Sequence, residues 1–471
     1  MSDTPRMQDA GAAQPVLSLA GTVMHTPERG IIEIYEDALV EVGADGRILA
    51  VVDAADAERA PRAAAAAAAG RLVTLRAGQV LLPGLVDLHV HAPQWPQLGK
   101  ALNLPLEQWL AQATFPLEAR YADLGFAARA YESLVESLLA NGTTTALYFG
   151  SLHLEATKLL AELCHSRGQR ALIGKVVMDD PALCPDFYRD AAPEVAIAET
   201  EAFIDHVEAL SGRGGRVRPV VTPRFIPACT DAALKGLGEL AARRGVHIQS
   251  HVSESDWEHD FVLARTGRTD TRALEAFGLL GRHTVLAHGN FICDDDMEAL
   301  AGCGAGIAHC PLSNAYFSNA VFPLAHALEK GVNVGLGTDI SGGPDASLFS
   351  VARHTVAASR LLNDGVDARL PAATRGRMNA AVDIAEAFWL ATAGGGIALD
   401  LPVGVIAPGY AFDAIVVDTT HPDSDLTIWP DLDEPQDIFQ RILYSATRVN
   451  VRRVWVDGRL VADKDAGLDW D

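Results

Sequence analysis

The chain has 471 residues, 49% hydrophobic and 21% charged, which is ordinary for a large soluble globular protein with a sizeable buried core. Its formal charge of −23 argues against a nucleic-acid partner, because such binding relies on Lys and Arg to neutralise phosphates; a small neutral molecule stays open. No apolar run is long enough to span a bilayer and Met1-Ser2-Asp3-Thr4-Pro5 carries no basic-then-apolar signal, so no membrane partner is expected and the default location is cytoplasmic.

Near the N-terminus, the apolar-rich runs 38–42 and 47–52 flank the turn formers Gly43-Ala44-Asp45-Gly46, which predicts a hairpin. Seven alanines, Ala63 to Ala69, read as a surface helix or connector. After the turn-like Leu82-Pro83-Gly84, strand candidates fall at 85–91, 143–148, 170–178, 217–222, 247–252, 284–288, 306–309 and 332–337. Helix-like stretches such as 124–140, 194–210 and 231–244 lie between them, the alternation of repeated βα units. Eight such strands predict a closed (β/α)8 barrel. The runs 412–417 and 451–458 make the C-terminal end β-rich like the N-terminal one. Six cysteines without Cys-x-x-Cys spacing read as buried reduced thiols rather than disulfides or a thiolate metal site.

The chemistry-bearing residues cluster at predicted strand ends. In Asp87-Leu88-His89-Val90-His91 two imidazoles stand one residue apart, so a strand presents both to the same side, where they can share one cation. Alone that signal is weak. It is strengthened by His251 at the end of the fifth strand, His288 at the end of the sixth and Asp339 at the end of the eighth, since barrel enzymes carry their catalytic groups at those ends. Nitrogen ligands with one carboxylate suit zinc and also ferrous iron. Glu254, three residues past His251, is placed to hang over a metal-bound water and pass a proton to a ring nitrogen.

His89-x-His91, His251, His288 and Asp339, in this order, resemble the amidohydrolase superfamily, nearly end to end. The resemblance implies a small β-sandwich built from both termini, with residues 1–80 and 391–471 contributing to it and 81–390 forming the metal-dependent barrel. It implies a single Zn2+ per chain, with Fe2+ the other option, on His89, His91, His251 and Asp339, because the fourth strand, Arg218-Pro219-Val220-Val221-Thr222-Pro223-Arg224-Phe225, has no Lys or Glu to bridge two ions. His288 is either a further ligand or, the preferred reading, a hydrogen-bond partner that orients the water. Lys175 reads as structural or an ion-pair partner, and His309 as either a substrate contact or a core histidine.

His251-x-x-Glu254 resembles the deaminases of that superfamily, and His91-Ala92-Pro93-Gln94-Trp95, Thr114-Phe115-Pro116-Leu117-Glu118 and Thr222-Pro223-Arg224-Phe225 resemble its guanine deaminase branch. This implies Glu254, Asp339 and His288 as catalytic groups, a purine substrate met by Gln94, Trp95, Arg224, Phe225 and His251, and a homodimer. Trp109, Phe115 and Pro116 read as packing for a loop over the barrel mouth. Pro344 and Asp345, after Gly337-Thr338-Asp339, depart from the Tyr and Ser common among relatives. A sister activity on an aminotriazine or 8-oxopurine is therefore the alternative. A cyclic-amide hydrolase would call for the bridging lysine, and a silent scaffold would have lost some of these residues.

Overall fold

A computed structural model describes residues 14–318 and 320–466; the polar opening read at residues 1–5 lies outside them. Eight parallel strands follow one another around a nearly closed barrel: Leu85–His91, Thr143–Phe149, Arg170–Gly174 continued by Val176–Val177, Val217–Pro223, His247–Val252, Thr284–His288, Gly306–His309 and Asn333–Leu336. The expected third strand is thus broken at Lys175, and the eighth stops short of the predicted end. Among the described residues the first and eighth strands share no regular ladder. Their mouth ends are joined instead by Asp339 N–H donating to the His89 carbonyl at 2.8 Å and His91 N–H donating to that of Ile340 at 2.9 Å. Buried Asp87 completes the seam, accepting from the Thr338 N–H at 3.0 Å and the Thr338 hydroxyl at 2.7 Å.

The helices between strands carry the local signals their sequence demands. Asp231–Arg244 starts at Thr230, whose hydroxyl accepts from Ala233 N–H, and stops at Gly245 in the left-handed region, where a Cβ is disfavoured. Their apolar sides pack outside the barrel. Inside it, Leu88, Leu147, Leu172, Val220, Val285 and Ala308 form one apolar layer, closed from below by Leu399, Leu401 and Val403. Above that layer lies the Gln249 amide, which donates to Thr222 Oγ1 at 3.0 Å.

An irregularity in the first strand matters for the site. Asp87 pairs with Ala146 and Val90 with Tyr148, so the first strand spends one residue more than the second between these pairs. Leu88 can then join the interior layer while the next residue, His89, also faces inward, with its ring 4.8 Å from that of Phe149.

Strands from both ends of the chain share a mixed sheet, in the order Arg459–Asp463, Val451–Val456, Ala414–Asp418, Gln79–Pro83, Leu17–Glu28, Ile31–Val42, Ile48–Val52, with Leu72–Thr74 beside Leu17–Glu28. The predicted hairpin is Ile31–Val42 with Ile48–Val52, and the alanine run lies in the helix Arg59–Ala68 and just beyond it. Leu82 and Pro83, read as turn, end a strand of this sheet, which runs past the boundary drawn at residue 80. Gly84 makes the corner into the barrel; a Cβ there would sit 2.2 Å from Thr144 Oγ1. All six cysteines are free, but Cys293 is exposed and Cys303 only half-buried rather than buried. No helix among the described residues is long and apolar enough to cross a membrane.

Sheet and barrel are locked through Arg170, whose Nε and Nη2 fork onto Asp413 at 2.9 and 3.1 Å while Nη2 also reaches Asp457. Removing one partner of a buried pair strands the other charge, so Arg170→Met should lower the unfolding free energy by about 3–5 kcal/mol. Urea denaturation reads this; an unchanged midpoint would show that the fork does not hold the two parts together.

Candidate active site

The barrel mouth gathers five side chains from the ends of four strands. His89 and His91 come from the first, His251 from the fifth and His288 from the sixth; Asp339 lies just beyond the eighth, in the loop after Leu336. Ser253, His288 and Asp339 take φ of +46°, +75° and +49°, the left-handed region that side chains disfavour. Backbone strain is thus concentrated where the polar groups converge.

His91 Nε2 and His251 Nε2 are 3.0 Å apart, and Asp339 Oδ1 lies 3.2 Å from His89 Nε2 and 3.6 Å from His91 Nε2. The His251 Nδ1–H donates to the Arg224 carbonyl at 2.6 Å, which fixes the tautomer and leaves a bare lone pair on Nε2, facing His91. His288 is oriented alike, with Nδ1 on Asn314 Oδ1 at 2.9 Å. His89 Nε2 and His288 Nε2 are buried with no hydrogen-bond partner.

Two groups of mutually close donor atoms, His89/His91/His251 and His89/His288/Asp339, overlap at His89. Ligands at 2.0–2.1 Å around a tetrahedral ion stand about 3.3 Å from one another, close to the separations seen here. A divalent cation would relieve the facing lone pairs and satisfy the orphaned nitrogens, so these residues fit one.

Burial governs the protonation of this cluster. It pushes the imidazoles of His89, His91 and His251 well below their ordinary pKa, with neighbouring imidazoles and Arg224 adding to the shift, so they stand neutral as ligands must. It pushes Glu254 well above the carboxylate range, with Asp339 adding to the effect and Arg224 opposing it. Glu254 Oε2 lies 3.7 Å from His288 Nε2, so an acid stands beside the cation cradle. His309 is held to about 3 by burial and His288, a neutral buried ring.

A pocket opens over this cluster, walled by Gln94, Arg224, Phe225, Trp109 and Phe317. Trp95 does not line it: its indole N–H donates to Ser133 Oγ at 3.0 Å and its ring packs among the outer helices, because the 3-10 turn Ala92–Gln97 sends consecutive side chains in different directions. The indole in the wall is that of Trp109, 4.9 Å from the Phe317 ring, on the helical run Leu106–Glu118.

The residue that sequence reasoning left without a role is Glu118. It receives the Arg224 Nη1 and Nη2 donors at 2.7 and 3.2 Å and Gln94 Nε2 at 2.9 Å, while Gln94 Oε1 accepts from Ser341 N–H at 3.1 Å. A buried arginine demands a buried acid. That demand, set against the acid closing Thr114-Phe115-Pro116-Leu117-Glu118, was the available signal. Lys175 is likewise buried on Asp190 at 2.7 Å and Glu199 at 3.2 Å, an ion pair. Glu118→Leu should cost about 3–5 kcal/mol of stability, and Glu118→Leu/Arg224→Met should recover at least half of it, because the double variant strands no charge. Equal losses in the single and double variants, read by urea unfolding, would contradict the pairing.

The amidohydrolase family model matches residues 80–461. The chain is 36% identical to a probable guanine deaminase of Schizosaccharomyces pombe, over 94% of its own length and 82% of that protein. It is 34% identical to the guanine deaminase of Homo sapiens, over 94% and 95% of the two chains. Among solved structures it is similar to guanine deaminase from C. acetobutylicum with bound guanine in the active site, with a TM-score of 0.82 and 28% identity over 94% of this chain and 99% of that one. With its eight-stranded barrel, its histidine-lined mouth and a match along almost its whole length, the chain belongs to the amidohydrolase family.

Proposed function

We propose that this protein hydrolyses guanine to xanthine and ammonia, cleaving the exocyclic C–N bond of a cyclic amidine. The observation that carries this reading is the meeting, in one pocket, of a His/Asp cation cradle, the buried acid Glu254 and the Arg224/Gln94 pair, in a chain similar to guanine deaminases. His89, His91, His251 and Asp339 are the residues to hold one divalent ion, zinc or ferrous iron by their donor chemistry. Such an ion, when bound, makes water acidic enough to attack near neutral pH.

The side chains then divide the proton work. The Asp339 carboxylate takes a proton from the attacking water, and His288, its Nδ1 committed to Asn314, orients that water through Nε2. Glu254 gives its proton to the ring nitrogen beside the amine-bearing carbon as oxygen adds there. The proton held by Asp339 passes to the amino group, ammonia leaves, and the hydroxyl proton of the collapsing centre returns to Glu254.

Arg224, fixed by Glu118, has further N–H donors for a purine carbonyl and ring nitrogen, Gln94 supplies an amide at the ring edge, and Phe225 packs on its face. A purine carrying an amino group in place of that carbonyl would set donor against donor, at roughly 1–3 kcal/mol per unpaired group. This favours guanine over adenine.

Ammonia release from guanine tests the proposal. Glu254→Gln should lower turnover by about 10²–10⁴-fold, the range for a lost general acid, while elemental analysis still finds one metal ion per chain. Normal turnover by that variant would refute the proton donor. Because burial raises the Glu254 pKa and only the protonated form can donate, kcat/KM should fall as pH rises through that pKa. A wild-type profile still rising through the alkaline range would remove Glu254 from the role.

A further inference from the structure

Behind Glu254 lies a second pair of carboxyl groups that the chemistry above does not use. Glu258, on the helix Asp256–Thr266, is fully buried, and Asp270, opening the helix Asp270–Ala276, is 1% exposed. Each grips the backbone turn that presents Glu254. Glu258 Oε2 accepts from the Glu254 N–H at 2.7 Å, and Asp270 Oδ2 accepts from the Ser253 hydroxyl at 3.1 Å. From the other side, Asn290 Nδ2 donates to the Glu254 carbonyl at 2.8 Å.

The remaining oxygens, Glu258 Oε1 and Asp270 Oδ1, are buried and have no hydrogen-bond partner among the described residues, yet the two carboxyls are within hydrogen-bonding reach of each other. Two ionised carboxylates do not persist side by side out of water. A single proton shared between the two carboxyls gives one of them a donor for the other. The other ionisable groups nearby are Glu254, itself an acid, and His259, whose Nδ1 is 3.9 Å from Asp270 Oδ2.

The turn needs such support. Ser253 is held at φ +46°, a conformation that side chains resist, and its neighbour Glu254 has no hydrogen bond to its own carboxyl among the described residues, with His288 Nε2 3.7 Å away. The direction in which Glu254 points is therefore set by its main chain. We propose that Glu258 and Asp270, sharing one proton, form a positioning clamp that holds the Ser253–Glu254 turn so that the Glu254 carboxyl faces the substrate. Glu258 is a positioning residue, acting through Glu254, and the inference rests on the proton-donor reading of Glu254 given above.

The test uses the metal-loaded enzyme with guanine as substrate. Glu258→Met removes the grip, and because misplacing a reacting group by about 1 Å costs on the order of 10²-fold, kcat should fall by about that factor. KM should stay within about threefold, since Arg224, Gln94 and Phe225 stand on other elements. Glu258→Gln should rescue kcat to within about threefold of wild type, its amide oxygen accepting from Glu254 N–H and its NH2 donating to Asp270 as the shared proton does. If Glu258→Met does not fold, Ser253→Ala, which deletes only the hydroxyl contact, should lower kcat about tenfold at unchanged KM.

Unchanged kcat in Glu258→Met, or in Ser253→Ala where that variant stands in, overturns the clamp. So does a Glu258→Gln as impaired as Glu258→Met, because the pair would then need full ionisation. Glu254→Gln run in parallel separates the two claims: if it turns over normally, the proton-donor reading fails, whereas an inactive Glu254→Gln beside a normal Glu258→Met overturns the clamp alone.

Discussion

The site depends on how the two ends of the barrel wall meet: among the described residues they share no regular ladder and are hydrogen-bonded at the mouth. Asp87 and Thr338 are 251 residues apart in sequence, and their two hydrogen bonds, with the main-chain bonds His89–Asp339 and His91–Ile340, pull the first strand against the loop that follows the last. Those are the segments that carry two of the clustered imidazoles and the Asp339 carboxyl. A regular ladder would have fixed the alignment along the whole strand; here only the working end is fixed. The Asp87 carboxyl that ties it is fully desolvated, which raises its pKa to about 7, so the closure depends on an acid kept in place against its own preference for water.

The same exclusion of water sets the chemistry above the seam. Imidazoles that would take protons in solvent are left neutral, and Glu254 keeps its proton where an exposed carboxyl would have lost it. Charges that must remain are neutralised locally, Arg224 by Glu118 and Lys175 by Asp190. One physical cause thus acts on the imidazoles, the Glu254 acid and the Arg224 guanidinium together.

The parts legible in the sequence were those with short-range signatures. Eight apolar runs separated by helical periodicity located the barrel, and polar groups at their ends located the mouth, since alternation and strand ends are local properties. What escaped depends on partners distant in the chain. Glu118 carries no mark of its own; it becomes essential only once Arg224 is buried beside it, 106 residues on. The choice between Trp95 and Trp109 turned on the path of a helical run over the mouth, which tertiary packing decides. The strand Leu17–Glu28 passed unnoticed because Gly21 and a register shift interrupt its alternation. Just before the break at Lys175, only glycine fits at 174, where a Cβ would fall 1.8 Å from the Thr222 hydroxyl oxygen of the neighbouring strand.

The extra residue in the first strand makes chain length itself a determinant of the active centre. Between Asp87 and Val90 the spacing, more than the identity of what lies there, decides on which side both imidazoles emerge. An even ladder from Asp87 onward, with no extra residue taken up, would pair His89 rather than Val90 with Tyr148 and turn His89 and His91 toward the outer helices, leaving every amino acid named for the chemistry in the chain but no cradle for a cation. A surface loop can absorb a one-residue change at little cost, whereas in this strand one residue decides which side chains face the mouth.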